Sequence, residues 1–133
     1  MDYISSDKIA SAAGVAGPIT VNATADVYSH SHSIKDVSNL VLWYRATGTS
    51  PDIDLYLQQG PGLPTTEGSA GDATDGWVNV GSKIADITDN NWHYVVLSPV
   101  VMPYLRILMD GQGSNPADAA VDLRLGRQAA LGV

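Results

Sequence analysis

From Ile19 onward the sequence repeats with a period of two. Ile19, Val21, Ala23, Ala25 and Val27 alternate with Thr20, Asn22, Thr24, Asp26 and Tyr28, the pattern of a strand that buries one face. "DIDLYLQQG" at 52–60 sets Ile53, Leu55 and Leu57 against Asp52, Asp54, Tyr56 and Gln58, and "AVDLRLGR" at 120–127 sets Val121, Leu123 and Leu125 against Asp122, Arg124 and Arg127. Between these lie "SNLVLWYRATG", "WVNVGSKIADI", "NNWHYVVLSPVVM" and "PYLRILMDG". The first is apolar on both faces from Leu40 to Tyr44, which predicts a central strand covered on both sides. Pro103 suits the first position of a strand. No stretch carries a helical period over ten or more residues.

Short extended segments separated by turn signals predict an all-β fold, an antiparallel β-sandwich or jelly roll of about eight strands. With 133 residues the chain has room for one core, and residues 18–133 read as that single domain. Residues 1–17 read as an extended or flexible N-terminal arm, because Gly14 and Gly17 would soon end any helix starting at Ser6. Asp2 and Asp7 stand where a signal peptide would be basic, and no apolar core of a leader follows. No run approaches the ~20 apolar residues that span a bilayer, so no membrane partner is expected.

The net charge is −7, and the seven basic residues are scattered. Nucleic-acid binding needs clustered cations, so none is expected. Absence of cysteine removes disulfides and thiolate chemistry. Acidity is concentrated at 51–90, where Asp52, Asp54, Glu67, Asp72, Asp75, Asp86 and Asp89 face Lys83 alone. That reads first as a solvated face.

Two of the three histidines fall in "YSHSHSIKD". On an extended segment His30 and His32 point the same way, about 6–7 Å apart. Zinc wants three or four ligands. Without cysteine the remainder would have to be His93, Asp26 or Asp36, and no spacing supports them, so a polar connection is expected. The loop "GDATDG" at 71–76, with Glu67, offers oxygens, but it lacks the ligand spacing of an EF-hand, and Asx-turns account for it equally. A calcium ion on the 67–76 loop stays open.

There is no GxSxG elbow and no cofactor motif, and Asp52 and Asp54 share one strand face rather than flanking a cleft. A non-catalytic protein without cofactor is expected. The aromatic set is six Tyr and three Trp with no Phe, side chains that suit partly buried surfaces and interfaces.

"SPVVMPYLRILMDGQGSNPADAAVDLRLGRQ" at 98–128 resembles the C-terminal part of small structural proteins of tailed bacteriophages. There a Pro-Tyr-x-Arg-Ile strand is followed by a Gly/Asn/Pro/Asp turn and a last alternating strand. "LVLWYRATGTSPDIDLYLQQG" upstream fits the same group, so the likeness covers residues 40–128. The resemblance implies a virion component, a head decoration (cement) protein that is made in the host cytoplasm and sits on the capsid surface. It further implies a homo-oligomer, dimer or trimer, that binds the major capsid protein. "DNNWHYVVLS" at 89–98 is similar to a strand of concanavalin-like and laminin-G-like sandwiches, where its Trp and His are structural.

Tyr3, Ile4, Ile9, Val15 and Trp77 are the candidate partner contacts, as apolar residues on segments that cannot bury them locally. A rival reading is a carbohydrate-binding sandwich or other fibre or tail component. In it Trp77, Tyr56 and Tyr28 would stack on sugars while Asp52, Asp54 and Gln58 bond hydroxyls. A third reading, a small metalloprotein, would use His30, His32 and His93.

Overall fold

The computed structural model describes residues 2–22, 26–34, 39–69, 76–97, 102–111 and 119–130. Eleven strands are present in this part of the chain: β1 (Asp2–Lys8), β2 (Ile19–Val21), β3 (Asp26–Tyr28), β4 (His32–Ser33), β5 (Asn39–Thr47), β6 (Ile53–Gly60), β7 (Val78–Asn79), β8 (Ala85–Ile87), β9 (His93–Leu97), β10 (Tyr104–Gly111) and β11 (Ala119–Ala130). No helix occurs among the described residues.

The strands form two antiparallel sheets. One has five strands in the order β1-β11-β5-β9, with β2 also on β11; the other has six in the order β3-β10-β6-β7, with β4 on β10 and β8 on β6. Each sheet gives one face to a shared core. Leu40, Leu42, Ala46, Val121, Leu123 and Leu125 come from the first sheet, and Ile53, Leu55, Leu57, Leu105, Ile107 and Met109 from the second, all at most 2% exposed. The all-β sandwich is as the alternation predicts, with more and shorter strands than the eight read from sequence.

Two differences have simple causes. The period-two run from Ile19 to Tyr28 is not one strand. Ile19–Val21 pairs with β11 in one sheet and Asp26–Tyr28 pairs with β10 in the other. Alternation is a local signal, and it is the same on either side of the core. The N-terminal segment is extended, and Asp2–Lys8 is a paired strand along β11. The Ile9 N–H then donates to the Leu123 carbonyl at 2.9 Å.

The third difference concerns β5. Its apolar residues on both faces predict cover on both sides. Leu40, Leu42, Tyr44 and Ala46 do enter the core, but Trp43 on the other face is 42% exposed. The two faces therefore differ in what a truncation should cost. Leu42→Ala is expected to lose about 2–5 kcal/mol by cavity formation, and Val41→Ala on the outer face under about 1 kcal/mol. Urea denaturation of the two variants checks this, and equal losses would mean that the outer face is covered.

Candidate functional site

The outer faces of the two sheets differ, and the difference starts in β6 and β10. Their register places Arg106 opposite Gln58 and Leu108 opposite Tyr56 on the face away from the core. The Arg106 side chain is nevertheless fully buried. Its Nε donates to Gln58 Oε1 at 2.8 Å and a terminal N–H donates to the Ser69 carbonyl at 2.8 Å. The guanidinium lies 4.4 Å from the Tyr28 ring centroid and 4.8 Å from that of Trp77, a stacking that a delocalised planar cation favours. Gln58 passes the network on, donating to Asn79 Oδ1 at 2.8 Å. Burial raises the Tyr28 hydroxyl above its ordinary pKa; Asp26 adds to this and Arg106 opposes it.

Arg106 thus pins the long Gly/Pro-rich loop after β6 to the sheet. Trp77 rests on Gly60, where any side chain would run into the indole. Glu67 accepts from the Ser31 N–H at 3.1 Å and from the Ser31 hydroxyl. Gly68, at φ +83°, sits so close to Ala12 that a side chain there would collide with it. Leu63 in this loop, and Val15 three residues beyond Ala12, are each 65% exposed.

The outer face of the five-stranded sheet has no such cover among the described residues. Lys8 stands opposite Arg124, Arg124 opposite Trp43, and Trp43 opposite Tyr94, one cross-strand row over four strands. The Trp43 and Tyr94 rings lie 5.0 Å apart, tilted by 40°. In the adjacent row Arg45 bonds Asp122 at 3.3 Å and its guanidinium lies 4.9 Å from the Trp92 ring centroid. Trp92, Tyr94 and Val96 are 41%, 62% and 61% exposed.

Of the expected contacts, Ile9 is corrected: at 1% exposed it belongs to the core, because β1 carries the chain straight into the gap beside Leu123. Tyr3 and Ile4 lie in β1, opposite Ala129 and Gln128. Val15 is exposed, and Trp77 is half-buried on Arg106. In the rival sugar-binding reading, Trp77 and Tyr28 each have a ring face on Arg106, Gln58 is engaged by it, and Tyr56 is half-buried. The aromatic face that is open, Trp43 with Trp92 and Tyr94, escapes a sequence reading because an apolar run on both sides of a strand looks the same whether or not the second side is covered.

The histidines do not converge. His30 and His32 have ring centroids 6.3 Å apart, and His30 approaches Glu67 at 3.8 Å. His93 is in the other sheet, stacked on Tyr44 and bonded to Asp89 at 2.8 Å. The Asn91 backbone N–H, and after it His93, hold the exposed Asp89 carboxyl below its usual range. Asp72 and Asp75 of the considered calcium loop, and Asp36, lie outside the described residues. Asp52, Asp54 and Asp86 bring carboxylate oxygens within 4.8 Å of one another, but Lys83 already stands 3.4 Å from Asp54 and 3.7 Å from Asp86. Desolvation pushes the Asp54 carboxyl up, against the pull of Lys83.

No known protein-family pattern matches this chain, and no curated protein does. Solved structures do match. In one, the structure of infectious bursal disease virus Gx strain, the match covers 99% of this chain and 33% of that chain, at 10% identity and a TM-score of 0.46. The chain thus spans about a third of the length of the chain it matches. A likeness this shallow says nothing of what the present chain binds.

Two outcomes follow for the buried charges. Arg106→Met leaves Gln58 and the Ser69 carbonyl without their donor and is expected to cost roughly 3 kcal/mol. It should also open 61–69 to limited proteolysis, and an unchanged cleavage pattern would show that the loop is held by other means. For Asp54 the folded-state pKa is above the unfolded value, so its contribution to stability is present at low pH and lost as pH rises through the folded pKa. Asp54→Asn should therefore raise the melting temperature at neutral pH, with the gain fading as pH falls through the folded pKa to the ordinary carboxylate range.

Proposed function

We propose that this chain is a virion structural protein, a non-catalytic head decoration or cement protein that docks on the major capsid shell by its loop-covered side. One observation carries this reading. The apolar tips Leu63 and Val15 stand exposed on segments pinned to the body by Arg106–Ser69, Glu67–Ser31 and the Gly68–Ala12 contact. On this reading the two tips are the apolar anchors of the contact, and a loop held to the body in advance loses little entropy on docking.

The phage-like pattern over residues 40–128 supports the virion assignment. The acidic body suits basic patches on a shell, and a homo-oligomer would multiply a small contact into a firm one. Tyr3 and Ile4 remain candidate contacts at the β1 edge.

Immuno-electron microscopy with antibody to the purified chain should label the heads of the particles that carry it. Label on tails alone, or on no particle, overturns the proposal. On particles stripped of the chain, the Leu63→Asp, Val15→Asp double variant should rebind at least about tenfold more weakly than the native chain, with an unchanged melting temperature.

A further inference from the structure

We infer that the uncovered face of the five-stranded sheet binds a carboxylate-bearing oligosaccharide. This is a second site on the side of the sandwich away from the loop that is proposed to meet the shell, so both could be engaged at once.

The chemistry is read from the row Lys8–Arg124–Trp43–Tyr94 and the neighbouring pair Arg45–Trp92. A sugar ring has an apolar C–H face and a polar rim. Trp43 and Tyr94, with ring centroids 5.0 Å apart, offer the C–H face an exposed stacking surface. Val41 and Val96, opposite each other in the next row, extend it. Arg124 is exposed beside Trp43. Arg45 is held in place by Asp122 at 3.3 Å and by the Trp92 ring. Arg124 presents the forked donors that match a carboxylate, while Arg45, engaged by Asp122, and Lys8 at the end of the row add positive charge.

Charge selects among occupants. The chain as a whole carries −7. Among the described side chains on this face, Lys8, Arg45 and Arg124 face the single carboxylate Asp122. An anionic ligand is therefore drawn to this face and repelled elsewhere. Three cations tempered by one acid are too few for a polyphosphate, whose binding depends on many neutralised charges. They suit a polymer with widely spaced carboxylates whose neutral surface can lie on the rings. A second copy packed by the same face would set Lys8, Arg45 and Arg124 against the same three cations.

The full chain should be titrated calorimetrically with oligosialic acid and hyaluronan oligosaccharides, with chitohexaose, maltohexaose and an oligothymidylate as comparisons. The expected result is binding of the carboxylated sugars only, weakened in high salt. Tyr94→Ala and Arg124→Gln should each lower affinity roughly five- to tenfold, with melting temperatures unchanged. Trp43→Phe should retain more binding than Trp43→Ala. No carboxylated sugar bound, equal binding of neutral sugars, preference for the oligothymidylate, or insensitivity to Tyr94→Ala and Arg124→Gln would each overturn the inference. So would sedimentation showing that Tyr94→Ala dissociates an oligomer whose native form takes no sugar, which would assign the face to a second copy. Shell docking through Leu63 and Val15 can stand or fall separately.

Discussion

A strand has two faces and this molecule has one core. Every strand that gives alternate residues to that core must do something else with the other half. Leu42 and Leu123 on one sheet and Leu55 and Ile107 on the other close the interior completely, and their neighbours in sequence are thereby committed to the outside. What the protein can do depends on how each outer face is then treated, and the two sheets are treated differently.

On the six-stranded sheet the outer face is roofed. A guanidinium is an unusual keystone for a roof, because burying a cation is costly unless its donors and its charge are accommodated. Arg106 meets that demand with the Gln58 amide oxygen, the Ser69 carbonyl and two ring faces. The same contacts tie residues 61–69 to the sheet, which their Gly- and Pro-rich sequence would not specify alone. Ser31 and Glu67 fasten it at a second point. A loop of this length inside a compact domain usually has a task, and its described part carries the exposed Leu63 on one side of the Ser69 anchor.

Much of this was legible beforehand. Alternation identified the inward sets Ile53-Leu55-Leu57 and Val121-Leu123-Leu125, and all six are buried. His30 lies beside Glu67, and His93 lies in the five-stranded sheet, on β9. Less legible was anything set by long-range pairing. Nothing in "DYISSDKI" announces that it will line β11 and deliver Ile9 to the core, since its partner lies over a hundred residues away. Nothing in "VLWY" distinguishes a face covered by another element from one left open. Tyr28 and Trp77 looked like free platforms because Arg106 reaches them from a third segment.

The open face also bears on solubility. β9 is the last strand of its sheet among the described residues, and "HYVVL" contains none of the lysines or prolines that commonly blunt such an edge. Tyr94 and Val96 then place apolar surface beside it. A chain with that arrangement invites association unless something offsets it. The net charge of −7 supplies general repulsion between copies, while Arg45 and Arg124 break the aromatic surface with cations stacked on Trp92. If exposure were the only issue, replacing Trp43 and Tyr94 with polar residues would be the simpler remedy, because neither contributes to the core. The rings therefore stand exposed beside Arg45 and Arg124 in a molecule that is otherwise negative, and this local reversal of charge is what the inference of an anionic occupant rests on.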